Sequence, residues 1–379
     1  MAGEDIALDV RRHLAVLGRS PTAQDIAEAL RATGHIVSDA VVLSVQDQIA
    51  RDSVGIGVLE PLLSLDGVTD IVVNGPQQVF VDRGMGLEKT NVYFPSDDAI
   101  RQLGVRLAAS VGRRLDDGSP FVDARLPNQV RFHAVLSGIA HPGTCLSLRV
   151  PGKKTLSMED WERTGGVDSR AGEILRRLID KKVAFMISGG TGSGKTTLLS
   201  SLLSLVPERE RLVVVEDSRE LDPDHAHTVW LESRPANGEG AGLVTMTDLV
   251  RQALRMRPDR LVVGEVRGAE LRDLLQALNT GHEGGCGTIH ANSIGDLPAR
   301  LEALGALGGL SSQATHAQAA SALRVLVHVT RRGPMREVSQ IGVVDRDPSG
   351  RIRASVAWRR CGLDAGEGEG MGALMEVLA

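Results

Sequence analysis

The chain has 379 residues, with 43 Lys and Arg against 48 Asp and Glu, a formal net charge of −5. That length allows two domains and a sizeable core, while the mild acidity gives no support to a protein held on nucleic acid by bulk charge. Aromatic residues are 2% of the chain, which argues against base-stacking platforms for single strands. Cys145, Cys286 and Cys361 lie far apart and form no CxxC pair, which fits a reducing cytoplasm. No signal peptide opens the sequence and no apolar run approaches the roughly 20 residues that span a bilayer, so a membrane role is expected to come through a partner.

Taken in chain order, Ile6, Val10, Leu14 and Leu17 recur at helical spacing, Ser20-Pro21-Thr22 interrupts, and Ile26 and Leu30 resume. Residues 1–55 therefore read as a helical extension. From 56 to 150 the texture is α+β. DIVVNGPQQVFVD (70–82) has two β-branched runs around an Asn74-Gly75-Pro76 turn. A helix over 96–112 is capped by Ser96 with Asp97 and Asp98 in its first turn, and strands are expected at 129–136 and 145–150. The polar stretch 151–165 reads as a linker. Over 166–345 the candidate strands are 183–188, 212–215, 229–231, 260–263 and 286–290. Helices at 196–205, 246–257 and 269–279 alternate with some of them, which is the rhythm of a parallel α/β sheet. Asp347-Pro348-Ser349-Gly350 marks a hairpin between 337–345 and 351–358. Residues 346–379 read as that hairpin strand and a tail, flexible over the Gly- and Glu-rich 362–372.

VAFMISGGTGSGKTTLL (183–199) carries the main signal. An apolar strand runs into the Walker A spacing G-x-x-x-x-G-K-T and on into a helix. Glycines let successive N–H groups curl around one anion, and the helix N-terminus adds its positive end. ATP contacts are expected from Gly189, Gly190, Thr191, Gly192, Ser193, Gly194, Lys195, Thr196 and Thr197, with Lys195 on the β- and γ-phosphates and the Thr196 hydroxyl on Mg²⁺.

Hydrolysis also needs carboxylates. LVVVEDSREL (212–221) ends a strand in Glu216-Asp217, and DRLVVGEVRG (259–268) ends one in Gly264-Glu265. In an open parallel sheet these strand ends lie on the P-loop side. TGHEGGCGTIHANS (280–293) supplies His282 and His290. The spacing of His282, Cys286 and His290 matches no familiar zinc pattern, so the histidines are expected to sense the γ-phosphate or couple subunits. This places His290 in the catalytic set and His282 among the nucleotide contacts.

The P-loop, the VVVEDSREL box, RPDRLVVGEVRG and TGHEGGCGTIHAN occur in the order found in the secretion-superfamily ATPases of type II and type IV secretion and pilus systems, and the chain resembles that family. GVLEPLLSLDGVTDIVVNGPQQVFVDR (57–83), GRRLDDGSPFVDARLP (112–127) and RPANGEGAGLVTMTDLVRQALRMRPDR (234–260) resemble its tight-adherence (Tad) pilus branch, also associated with conjugal transfer. The resemblance implies a RecA-like ATPase domain at 166–345 and a homohexameric ring with nucleotide between the two domains. It also implies Glu216 as the base that activates water and Glu265 as the acid that holds a magnesium-bound water. Arginines of the N-terminal domain reach the γ-phosphate in such proteins. The matching positions are Arg131 and Arg149, with Arg113 and Arg114 as further candidates. No arginine finger is expected from the ATPase domain itself. Asp217-Ser218-Arg219 departs from relatives that carry proline after the acidic pair, which touches only the loop path.

The implied activity is ATP hydrolysis driving pilus assembly or protein secretion at the cytoplasmic face of the inner membrane, through a platform protein and without direct nucleic-acid contact. The competing readings are a DNA-transfer or helicase-like motor and a non-hydrolysing scaffold.

Overall fold

The structure, a computed structural model, describes residues 10, 22–35, 37–38, 41–43, 55–151, 156–236, 240–281, 283–333, 335–361 and 364–379. The chain divides into two compact units, Met1–Gly152 and Lys153–Ala379.

In the first unit, helix α1 (Ala23–Ala32) begins at a capping box. The Thr22 hydroxyl accepts from the Asp25 N–H, and the Asp25 carboxylate accepts from the Thr22 N–H. Ile26, Ala29 and Leu30 form a small apolar cluster with Val10 and Val42. The expected positions Ile6, Leu14 and Leu17 lie outside the described residues. Short helix α2 (Glu60–Leu63) precedes strands β1 (Asp70–Val73), β2 (Val79–Asp82) and β3 (Leu87–Lys89). Helix α3 (Asp97–Ser110) follows, with Ser96 accepting from the Ala99 N–H as its cap. Strands β4 (Phe121–Arg125), β5 (Arg131–Val135) and β6 (Cys145–Arg149) complete an antiparallel sheet ordered β3-β2-β1-β6-β5-β4. Ile100, Leu103 and Leu107 of α3 pack with Ile71, Val73, Phe132 and Leu146 of the sheet, which is the α+β core read from the sequence. Strand β4 was not among the expected strands.

The second unit opens on α4 (Met158–Arg163) and α5 (Ser169–Asp180). The reading of 151–165 as a linker is corrected over its second half. Ser157 and Asp160 form a capping box, Met158 and Trp161 are buried in the core, and the Trp161 indole N–H donates to Ser201 Oγ at 2.9 Å. Two apolar side chains at i and i+3 in a polar segment give this little helix a buried face. Then come β7 (Phe185–Gly189), α6 (Lys195–Leu203), β8 (Leu212–Glu216), β9 (Thr228–Glu232), α7 (Met246–Ala253), β10 (Arg260–Val266), α8 (Glu270–Asn279) and β11 (Cys286–Ile289). Helices α9 (Leu297–Leu307) and α10 (Ser312–Ala322) lead to β12 (Val325–Arg332), β13 (Met335–Arg346), β14 (Ile352–Cys361), β15 (Asp364–Glu367) and α11 (Met371–Val377).

These strands form one nine-stranded sheet ordered β15-β14-β13-β12-β7-β11-β10-β8-β9. From β12 to β9 neighbours pair in parallel, and β13 to β15 add antiparallel edges. Strands β7 and β8 are buried at every residue, as a sheet covered on both faces requires. Two apolar layers cover it. One holds Leu175, Leu178, Leu198 and Leu202, and the other holds Val250, Leu271, Leu274 and Leu301.

The hairpin over 347–350 forms where expected, with the Ser349 and Arg351 N–H groups donating to Asp347 Oδ1. Strand β13 crosses the domain boundary expected at 345, so the segment 346–379 continues the same sheet. The reading of 362–372 as flexible is corrected over its described residues, 364–372: β15 pairs with β14 and α11 starts at Met371, with Met371 and Leu374 in one buried cluster with Trp358. Glycine content concealed this, because here the Gly residues meet backbone. A Cβ on Gly368 would lie 2.2 Å from the Val356 carbonyl oxygen.

Candidate functional site

Four segments converge at the carboxyl edge of the parallel strands: the loop after β7, the end of β8, the end of β10 and the residue after β11. The loop after β7 holds Gly189 to Lys195. Gly192 and Gly194 have φ of 70° and 99°, a conformation that L side chains adopt rarely. Gly189 has no room for a side chain, since a Cβ there would lie 2.3 Å from the Val329 carbonyl oxygen of β12. Gly194 caps α6, so the helix N-terminus points at the loop.

Lys195 is 6% exposed, and its Nζ donates to the Gly189 and Gly190 carbonyl oxygens at 3.1 and 2.9 Å. Burial lowers its pKa from the usual lysine value, against the attraction of Glu265. Thr196 and Thr197 are half-buried in the first turn, with Thr196 Oγ1 3.5 Å from Glu220 Oε2. Thr191, Gly190 and Gly192 are exposed, while Ser193 is buried.

Glu216 ends β8 at 3% exposure. Its Oε1 accepts from the N–H groups of Glu220 and Leu221 at 2.9 and 3.0 Å. Burial pushes its carboxyl up to about 7, more than those two hydrogen bonds lower it. Oε2 is buried with no hydrogen-bond partner, and Ser193 Oγ is in the same state. Glu265, on the adjacent strand β10, is different. Burial alone would raise its pKa, but the Arg267 guanidinium, with Nη2 2.6 Å from Oε2, outweighs this and holds the carboxyl below its usual value. Arg267 also reaches Asp217 Oδ2 at 2.9 Å. The sequence reading missed Arg267, although it stands two residues from Glu265 in the GEVRG motif.

His290 follows β11, with Nε2 2.9 Å from Glu265 Oε1 and 3.5 Å from Lys195 Nζ. Burial and the Lys195 charge lower its pKa, so the ring is neutral near pH 7. The carboxylate contact is not a hydrogen bond, and Glu265 Oε1 is buried without a hydrogen-bond partner; the bond that His290 Nε2 makes is one it accepts from Lys195 Nζ. Lys195 Nζ and Glu265 Oε1 both lie within 3.5 Å of His290 Nε2. Cys286 sits at the opposite end of β11 from His290, and burial pushes its thiol up to about 12, which opposes the metal reading of these residues. His282 lies outside the described residues. Arg131 and Arg149 belong to the first unit, where they face each other across β5 and β6, and Asp70 of β1 lies on the other side of Arg149.

The second unit brings two arginines to the flank of the loop, neither of which the sequence reading named. A Cβ on Gly192 would lie 3.9 Å from Arg331 Nη1, and one on Gly194 would lie 2.9 Å from Arg336 Cδ. Both arginines come from the β12–β13 hairpin, more than 130 residues downstream of the loop, and only strand pairing brings them there.

The donor set fits a magnesium nucleotide. Backbone amides, the α6 terminus and Lys195 suit phosphates, and hard oxygens of Thr196 and the carboxylates suit Mg²⁺. The buried, unpartnered Glu216 Oε2 and Ser193 Oγ are polar atoms that such a ligand can satisfy.

A Walker A loop at the carboxyl edge of a parallel sheet, acids at the ends of β8 and β10 on the same edge and a smaller α+β unit earlier in the chain define a RecA-like P-loop domain with an N-terminal domain. The chain belongs to the type II/IV secretion system protein family, whose model matches residues 52–368. A protein of Mycobacterium tuberculosis H37Rv whose name assigns it to conjugal transfer is 48% identical over 350 residues, covering 90% of this chain and 98% of its own. The type IV secretion system protein PtlH of Bordetella pertussis is 33% identical over 258 residues, covering 62% and 76%. Among solved structures, the Legionella pneumophila ATPase DotB has a TM-score of 0.52 at 20% identity, covering 79% of this chain and 78% of its own. The pilus retraction motor PilT with bound ADP has a TM-score of 0.53 at 18% identity, covering 79% and 81%. At those identities the two structures bear on the fold.

Proposed function

We propose that this chain is an ATPase that hydrolyses ATP to ADP and phosphate and works as a homohexameric ring motor for protein secretion or pilus assembly, in the Tad branch of the family. The observation that carries the hydrolytic part is the contrast between Glu216 and Glu265. Each has one buried oxygen without a hydrogen-bond partner, but burial raises the Glu216 carboxyl to about 7 while Arg267 keeps the Glu265 carboxylate charged. A base poised near the working pH beside an acid that stays ionised is the pairing that water activation at a phosphate needs.

In this mechanism Glu216 Oε2 accepts a proton from water as the water oxygen bonds to the γ-phosphorus. The bond from that phosphorus to the β–γ bridging oxygen breaks, and ADP leaves. Lys195 exchanges the Gly189 and Gly190 carbonyls for the β- and γ-phosphates. Thr196 would hold Mg²⁺ directly and Glu265 through water. When bound, the ion neutralises charge on the phosphate oxygens. His290 Nε2 accepts from Lys195 and so steadies that side chain beside Glu265, and Arg131 and Arg149 of the N-terminal domain complete the positive charge around the γ-phosphate. A place at the cytoplasmic face of the membrane through a platform protein is consistent with the described residues, none of whose helices is long and apolar enough to cross a bilayer.

The test is Mg²⁺-dependent phosphate release by the purified full-length chain, with Lys195→Ala as control. Equal rates for the two proteins would sink the assignment. A DNA-transfer motor is the second reading, favoured by the name of the Mycobacterium tuberculosis relative. Stimulation of phosphate release by single- or double-stranded DNA would select it.

A further inference from the structure

Strand β12 pairs in parallel with β7, Val329 opposite Gly189, and then runs three residues further to Arg332. The β12–β13 hairpin therefore overhangs the carboxyl edge of the sheet beside the P-loop. Strand alternation sorts its charges by face. On one face Glu337, 2% exposed, takes Arg332 Nη2 at 3.1 Å and Arg360 Nη1 at 3.5 Å. On the other, Arg331 and Arg336 stand directly opposite one another. Directly opposed like charges cost stability in a sheet, yet this pair is set against the loop that holds phosphate. Arg331 Nε is fixed by the Gly333 carbonyl at 2.9 Å, while Nη1 extends toward Gly192 and Arg336 Cδ covers Gly194.

The two arginines lie on the flank of the loop where Cβ atoms would be. Phosphate is taken on the inner side, by the backbone N–H groups. A nucleotide held by its phosphates projects its ribose and base out of the loop, and a base needs a flat surface. Trp161 is the aromatic side chain found against these glycines. It is 2% exposed, its N–H is engaged by Ser201, and its Cη2 lies 3.4 Å from where a Gly194 Cβ would be, so its ring face is closed. A guanidinium offers a planar surface beside the loop and stacks well on ring systems.

We infer that Arg331 and Arg336 form the platform for the ribose and purine base of the nucleotide, and bind that end of the ligand and not its phosphates. This rests on the reading of the P-loop as a nucleotide site. Stacking reads the face of a base and not its edge, so ATP and GTP should bind with affinities within a few-fold of one another.

The experiment compares ADP and inorganic tripolyphosphate as ligands of the full-length chain by calorimetry. Wild type is set against Arg331→Ala, Arg331→Lys and Arg336→Ala. Arg331→Ala is expected to weaken ADP about tenfold, the size of one lost stacking contact, and to leave tripolyphosphate within twofold. Arg331→Lys, which keeps the charge and loses the plane, should not restore ADP. Arg336 packs on the loop, so the tripolyphosphate affinity of Arg336→Ala reports loop integrity, and Arg331→Ala is the deciding variant. If it weakens ADP and tripolyphosphate alike, or if Arg331→Lys binds ADP as wild type does, the contact is to phosphate and the inference is overturned. Unchanged ADP affinity in Arg331→Ala overturns it too. A wild-type chain that binds neither ligand would remove the nucleotide reading of the loop itself, a separate result.

Discussion

Glu216 crosses over Gly264. The strands β8 and β10 pair with Val215 opposite Val263, and a Cβ on Gly264 would lie 2.5 Å from Glu216 Cγ and 2.8 Å from its Oε1. The glycine ahead of Glu265 in the GEVRG motif is thus the space that the carboxyl of the neighbouring strand occupies. The motif reads as one unit in sequence and serves two acids in space.

Gly264→Ala should therefore act on Glu216. The added methyl group displaces the carboxyl from the Glu220 and Leu221 N–H groups that hold it. Overpacking of this kind costs about 1–3 kcal/mol, and a displaced base should lower kcat by about 100-fold or more. Urea unfolding together with steady-state phosphate release would check both. A variant with normal kcat would show that Glu216 is not the base or that it has room to move.

Glu216→Gln should lose turnover by about 10²–10⁴ and still bind ATP. It should also be the more stable protein at alkaline pH. The folded pKa of about 7 lies above the ordinary 4.5, so between those values the folded state keeps a proton that the unfolded chain has released. Wild-type stability then falls as pH rises through that window, by up to about 3 kcal/mol, and the amide escapes the loss. Melting curves at pH 5 and pH 8 should show the variant's advantage only at pH 8. An equal difference at both would mean that burial does not control this carboxyl.

These consequences show where the sequence stopped being legible. Gly189 to Thr196, Glu216 and Glu265 were readable because each is fixed by its own strand and by contiguous spacing. The Glu216–Gly264 overlap, the Arg331–Arg336 pair and Trp161 depend on which strands pair and in what register, which local spacing does not encode. Met158 and Trp161 are too few apolar residues to announce a buried helix, and the glycines of 362–372 resemble a tail although two of them lie against β14. Arg267 was missed for another reason: beside a carboxylate, one arginine among 37 looks like surface charge.

Glu265→Gln keeps an oxygen that can accept from Arg267 but removes the charge proposed to hold the magnesium-bound water. The Mg²⁺ concentration for half-maximal activity should rise about 10- to 100-fold, the usual cost of an altered outer shell, with kcat reduced even at saturation. Titrating Mg²⁺ at fixed ATP measures both. An unchanged Mg²⁺ requirement would place the metal shell elsewhere, Glu220 being the next carboxylate, 3.5 Å from Thr196 Oγ1.

The last expectation concerns Arg131 and Arg149. They are paired across β5 and β6, and the outer face of that sheet region is where both side chains remain at least partly accessible. If the first unit closes over the γ-phosphate, removal of either charge should lower kcat and leave the ADP Kd nearly unchanged, since ADP lacks the group being neutralised. If closure engages a neighbouring subunit, phosphate release should rise more than linearly with protein concentration, and ATP should shift sedimentation toward a hexamer. The companion test is a chain lacking the first unit. Its ends must follow the core: Trp161 at one side and Trp358, Leu374 and Leu378 at the other belong to the same apolar layer as the P-loop helix. The fragment should accordingly run from 156 to 379, because one ending at 345 strips three elements from the sheet and its cover. A folded monomer of 156–379, by circular dichroism and ultracentrifugation, that released phosphate at the full-length rate would show that neither Arg131, Arg149 nor assembly takes part in the chemistry.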